Sequence, residues 1–228
     1  MKRRTILTGA MLAFVSPYVG SVKAHSLDSL EEELLQTEKY FQVKDSAPPN
    51  FVLDDAFGKT VALAALRGKV IVLHFVYTRC PDVCPLHAEK IAEVQKMVNI
   101  TPMKGRVVFA SITTDPEHDT PQVMQTYGRQ HGLDSSNWIF LTKQPKDSED
   151  ATRKLAERFG HGFATTSDGL QLHGTVTHVI GPDGRWRANF HGLRFQALNL
   201  VLLINGLVNV SVPHQESRSF WSLVRSLF

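Results

Sequence analysis

Cysteine is scarce in this chain: 228 residues include two, Cys80 and Cys84. That count excludes the dense disulfide framework of small secreted domains. Gly (15) and Pro (11) are too few for a collagenous or low-complexity chain, and no internal repeat is present. An excess of charge of one sign is missing from the body of the chain. Of the 25 Lys and Arg, Lys2, Arg3, Arg4 and Lys23 fall in the first 24 residues, which hold no acid. The remaining 204 residues carry 21 Lys and Arg against 22 Asp and Glu, a net of −1. A near-neutral body has no electrostatic footprint for nucleic acid, so no nucleic-acid partner is expected. What is present, 43% hydrophobic and 21% charged residues, is a globular composition sufficient for one domain with appendages.

The ends read as targeting and accessory segments. Residues 1–24 have the layout of a secretory signal peptide: a positive Lys2-Arg3-Arg4, an apolar stretch from Ile6 to Val19, and Val22-Lys23-Ala24 before an expected cleavage at His25. The alternative is an uncleaved N-terminal anchor, although the apolar run is short for a span and broken by Ser16-Pro17. No Cys lies near the cleavage site, so a lipoprotein anchor is not expected. The implied address is the periplasm or cell envelope. Residues 25–50 read as an N-terminal helix, Ser26–Val43 with Leu27, Leu30, Leu34 and Tyr40/Phe41 on one face, followed by a linker around Pro48-Pro49. A packed helix is expected over Phe195–Val210. Residues 211–228 form a tail whose apolar stripe, from Phe220 to Phe228, reads as a packed element or as a surface for membrane association or partner docking.

The body, residues 51–210, alternates strand and helix patterns. Val70–Val76 (VIVLHFV) and Arg106–Thr113 (RVVFASIT) are continuous apolar runs, as expected of strands buried on both faces. Helical patterns follow over Val83–Val98 and Thr120–His131, the latter with a Pro at its first position. Trp138–Leu141 reads as a strand and Ser148–Phe159 as a helix. Gly174–Ile180 and Arg185–Phe190 make a hairpin around Gly181-Pro182-Asp183-Gly184, and Phe51–Leu53 with Thr60–Ala62 make another. These elements predict an α/β protein, a three-layer α/β/α sandwich with an N-terminal hairpin and extra terminal helices; a cysteine pair between strand and helix makes the expected fold thioredoxin-like.

Cys80 and Cys84 fall in the loop between the first buried strand and the helix after it. If that helix begins by Pro81, residues four apart place both sulfurs on one face. A helix N-terminus favours thiolate. The rise of about 6 Å between such positions lies within the ~4.4–6.8 Å that a disulfide tolerates. The pair therefore reads as a reversible dithiol, a metal site, or both, with a plain stabilising disulfide as the bland alternative. Thiolate sulfur suits Cu(I), with Zn(II) as a second choice. A third ligand is sought among ten histidines. His87, three residues after Cys84, is geometrically eligible. His173 lies just before the hairpin strand, where thioredoxins carry Pro nearby and this chain has Thr175. Asp115, Glu117 and Asp119 read as loop-ordering residues and a helix cap rather than a metal cluster.

Thr78-Arg79-Cys80-Pro81-Asp82-Val83-Cys84-Pro85, Asp115-Pro116-Glu117-His118-Asp119-Thr120-Pro121 and His173 ahead of Ile180-Gly181-Pro182-Asp183-Gly184 together resemble the Sco/SenC family of thioredoxin-fold copper proteins. The match spans about residues 49 to 206. The resemblance implies one copper per chain, as Cu(I) or Cu(II), held by Cys80, Cys84 and His173. It also implies cytochrome c oxidase assembly, with a copper-acceptor protein such as an oxidase subunit and a thiol reductant protein as partners. This chain has Leu172 where the family often has an acid before the histidine. The expected function is a copper metallochaperone. The alternative is a thiol–disulfide oxidoreductase in which Cys80 and Cys84 are catalytic and act on the acceptor's cysteines. A peroxidase of the peroxiredoxin kind is a third, weaker reading.

Overall fold

The computed structural model describes residues 26–165 and 171–210. The signal-peptide and tail readings, residues 1–24 and 211–228, lie outside the described residues.

An eight-stranded sheet runs in the order β1-β10-β9-β4-β5-β6-β2-β3. Its strands are β1 (Phe41–Ser46), β2 (Val52–Asp55), β3 (Thr60–Ala62), β4 (Val70–Val76), β5 (Val107–Thr113), β6 (Trp138–Thr142), β9 (Val176–Ile180) and β10 (Trp186–His191). β4, β5 and β6 are parallel; β9 pairs antiparallel with β4. Every residue of β4 and β5 is buried, as their unbroken apolar runs require. Val70, Val72 and Val76 face one layer, built from α1 (Leu27–Thr37), α2 (Val83–Asn99), α3 (Pro121–Gln130) and α5 (Ala197–Val210). Ile71, Leu73 and Phe75 face the other, where α4 (Ala151–Arg158) contributes Leu155 and Ala156. A separate two-stranded ribbon pairs β7 (Phe163–Thr165) with β8 (Gln171–His173).

Two expectations are corrected. The N-terminal helix ends at Thr37 rather than Val43, and Phe41–Ser46 form β1, paired antiparallel with β10. Phe41 packs against Phe190 at 5.2 Å between ring centroids, so a long-range strand contact overrides the helical spacing. The second is the condition that the helix after β4 begin by Pro81: α2 begins at Val83, the start its own pattern predicts, so Cys80 lies outside the helix. Cys80 precedes Pro81, and a residue before proline is sterically pushed out of helical conformation.

Gly128 on α3 lies against Trp138: a Cβ there would sit 2.2 Å from the indole Cη2 and Cζ3 atoms. Alanine ordinarily gains about 1 kcal/mol over glycine in a helix interior. Here the sign is expected to reverse. Trp138 is buried and its Nε1 donates to Ser111 Oγ at 3.0 Å, so it has nowhere to retreat. Gly128→Ala is expected to cost about 1–3 kcal/mol from overpacking, measured by urea unfolding; a stabilised variant would refute this account.

Candidate functional site

The chain leaves β4 at Val76 and turns through 77–82 before α2 begins. Cys80 N–H donates to Tyr77 C=O at 3.2 Å, closing a tight turn that tucks the first thiol under the loop. Cys84 occupies the first turn of α2 on its buried face. Both residues are buried, and both are free thiols. They are in hydrogen-bonding contact with each other.

The two thiols differ sharply. Burial raises the Cys80 thiol, but backbone N–H groups of Asp82 and Cys84, the Cys84 thiol and the Tyr77 hydroxyl outweigh it and hold Cys80 below the ordinary thiol value. These are the exposed amide donors of a helix start, so the helix terminus acts on Cys80 from in front rather than from within. Burial pushes the Cys84 thiol well up, and the neighbouring Cys80 and Asp119 charges add to the rise. Cys80 is the thiol poised to ionise, and Cys84 is its proton-bearing neighbour.

The loop carrying Cys80 is clamped to the loop after β5. Asp119, 1% exposed, accepts from the hydroxyls of Thr78 and Thr113 and from Thr78 N–H at 3.3 Å. Burial pushes its carboxyl up, against the hydrogen bonds from Thr113 and Thr78. Asp115 receives Arg79 Nε at 3.0 Å and Arg79 Nη2 at 2.8 Å, and sits 2.8 Å from His118 Nδ1. Thr120 caps α3 through Val123 N–H. The sequence motifs around residues 78–85 and 115–121 are thus two halves of one clamp, in which Asp115 and Asp119 order the loops. Among the described residues, no group of three or more His, Cys, Asp or Glu side chains is placed to hold a metal.

His87 is turned to a different task. It is buried, with Nε2 2.8 Å from Thr177 Oγ1 and its ring 4.7 Å from that of His74. His173 closes β8, where its backbone partner is Phe163. Tyr77 and Tyr127 were not singled out by the sequence. Tyr127 is buried, its hydroxyl has no hydrogen-bond partner among the described residues, and both cysteines act on it electrostatically. Its helical spacing on α3 reads only as core, so no local signal marks it.

A buried dithiol at the junction of a central parallel strand and its following helix, in a helix-covered mixed sheet, defines a thioredoxin-like dithiol protein. The chain belongs to the SCO1/SenC family, whose model matches residues 41–200. It is 28% identical over 203 residues to a putative copper-binding protein of Stutzerimonas stutzeri, a match covering 88% of this chain and 93% of that one. The copper-bound crystal structure of Arabidopsis thaliana ScoI is similar, with TM-score 0.57 and 28% identity over 72% of this chain and 97% of that one. The fold is also that of BsSco, described as having a disulfide switch and as a member of the Sco family of cytochrome c oxidase assembly proteins. That likeness has TM-score 0.64 and 22% identity over 74% of this chain and 97% of BsSco.

Proposed function

We propose that this protein is a copper metallochaperone of the cell envelope that delivers one copper ion, its cargo, to a respiratory oxidase during cytochrome c oxidase assembly. The observation that carries the reading is the pair of adjacent buried free thiols, one held toward thiolate, at the clamped β4–α2 junction. Two soft sulfur donors suit Cu(I), and a neutral imidazole suits either copper oxidation state. Cys80 and Cys84 supply the sulfurs and His173 the nitrogen. Release proceeds by ligand exchange as the acceptor's donors replace these three in turn. Family membership and the copper-binding relatives support the cargo, and the oxidase-assembly role of Sco proteins supports the acceptor. The acidic-poor, basic-started leader of residues 1–24 supports export.

The unequal thiols favour a second activity of the same site. Cys80 thiolate attacks one sulfur of the acceptor's disulfide, forming a mixed disulfide and expelling the other acceptor sulfur as thiolate, which takes up a proton. Cys84, on losing its proton, attacks Cys80 sulfur and releases the second acceptor thiol. Two electrons pass to the acceptor, the Cys80–Cys84 pair becomes a disulfide, and a reducing thiol protein restores it. This step prepares the acceptor's cysteines for copper.

The test is copper stoichiometry in the full chain. Reduced protein is expected to take up one equivalent, and the Cys80–Cys84 disulfide little or none. His173→Ala is expected to weaken binding by roughly 10- to 100-fold or more, by comparison with the loss seen when only an outer-shell partner is removed. His87→Ala is expected to leave the copper spectrum unchanged, since His87 is bonded to Thr177. Equal uptake by reduced and oxidised protein would refute the dithiol's role, and a damaging His87→Ala beside a silent His173→Ala would reassign the third ligand.

A further inference from the structure

Among the described residues four buried histidines lie outside the proposed donor set: His74, His87, His161 and His178. His74 and His87 lie between the sheet and α2, bonded to Ser111 and Thr177. The other two form a chain on the opposite face, and its proton positions follow from its own chemistry. Trp186 Nε1 is only a donor, and it donates to Asn189 Oδ1 at 2.9 Å. His178 Nδ1 lies 2.8 Å from that same oxygen, so Nδ1 carries a proton. His178 is 0% exposed, and burial keeps it neutral, so its Nε2 is a bare acceptor. His161 Nε2, 2.9 Å away, is therefore the donor. At the far end Asn189 Nδ2 donates to Gln42 Oε1 at 3.0 Å. Gln42, Asn189 and His178 are register partners across β1, β10 and β9, so the chain is anchored in three strands.

His161 is the end of this chain that leaves the sheet. It follows α4 and precedes Phe163, the first residue of β7, by two positions. Phe163 is the register partner of His173. β7 and β8 pair with each other rather than with the main sheet. A two-stranded ribbon of three residues a side is marginal on its own and depends on its attachments. The side chain of His161, 5% exposed, is a buried polar attachment at its root.

We propose that His161 is a positioning residue for His173: its Nε2–H bond to His178 fixes the root of the β7–β8 ribbon, and with it the place of His173 relative to Cys80 and Cys84. The functional half of this inference rests on His173 being the third copper donor; the anchoring half does not. A leucine at 161 would take away the donor that His178 Nε2 has in this buried place. A glutamine carries an amide N–H to about the same point, and an asparagine falls short.

The test uses full-length His161→Leu, His161→Gln and His161→Asn. In copper-free protein, amide hydrogen exchange at 163–165 and 171–173 is expected to rise at least ~10-fold in the leucine and asparagine variants, with β4 and β5 unchanged, and to stay near wild type in the glutamine variant. In Cu(II)-loaded protein, the leucine variant is expected to keep thiolate-to-copper absorption but lose nitrogen coupling in the electron paramagnetic resonance spectrum, as His173→Ala does. Combining His161→Leu with His173→Ala is expected to weaken binding no further than His173→Ala alone. Unchanged exchange overturns the anchor. Raised exchange with a wild-type copper spectrum overturns the positioning role. Should the leucine variant not fold, the glutamine–asparagine pair decides, and equal behaviour of the two overturns the proposal. A wild-type protein that takes up no copper would refute the copper reading and the positioning role that rests on it, while the exchange data still decide the anchor.

Discussion

Below pH ~6.5 the protein is expected to lose stability at about 1.4 kcal/mol per pH unit from His178 alone. Burial, with the neighbouring His161 acting in the same direction, pushes this imidazole from an ordinary 6.5 down to about 3. Between those values the unfolded chain binds a proton that the folded chain refuses. The contribution is therefore fully present above 6.5 and is lost as pH falls toward 3. Burial also lowers His191, which adds in the same direction. Asp119 opposes it: its raised carboxyl takes up a proton in the folded state at a pH where the unfolded carboxyl is still ionised. Urea unfolding at pH 7, 5.5 and 4.5 measures the slope. His178→Gln, which does not titrate, is expected to flatten it, and an equal slope in wild type and variant would show that acid acts elsewhere.

A second large effect is expected at the thiols. In reduced, metal-free protein at neutral pH, Cys80 is expected to be alkylated by iodoacetamide at least ~10-fold faster than Cys84, since each unit of pKa separation changes the thiolate population about tenfold. The first carboxamidomethyl group should appear on Cys80 in peptide mass spectra. Correspondingly, Cys84→Ser is expected to accumulate a mixed disulfide with an acceptor through Cys80, while Cys80→Ser is not. Equal labelling of the two cysteines would mean that the amide donors of Asp82 and Cys84 do not govern reactivity.

Much of the frame around this pair was legible in the sequence. Apolar runs with no polar break marked β4 and β5, because a strand covered on both faces has no solvent side. Thr120 and Pro121 marked the start of α3, because an oxygen acceptor and a missing N–H suit a helix terminus. The CxxxC spacing marked the buried dithiol of the candidate site. β1 was hidden because Leu27, Leu30 and Leu34 carry a helical period that Tyr40 and Phe41 extend by chance; what places Phe41 in a strand is Phe190, 149 positions away. The start of α2 at Val83 was legible as well, and with it the place of Cys80 outside the helix, which Pro81 enforces. The His161–His178–Asn189–Gln42 chain has no period, since its members meet through strand register and one loop. The ribbon β7–β8 was missed because three-residue strands carry too few side chains to show alternation.

The helices at the two ends of the described domain run side by side. Leu27 and Leu30 of α1 lie against Gly206 of α5, where an added Cβ would approach Leu30 Cδ2 to 2.9 Å. At the other end of α5, Gln196 N–H, just before the helix, and Asn199 Nδ2, in its first turn, reach the Glu38 carboxylate at the far end of α1. The helices are therefore antiparallel, and the chain enters and leaves the domain at one corner, within about a helical turn of itself. A tether attached at either end would hold the body by that same corner. A short peptide joining the ends should likewise be accepted, which makes the domain a natural host for circular permutation.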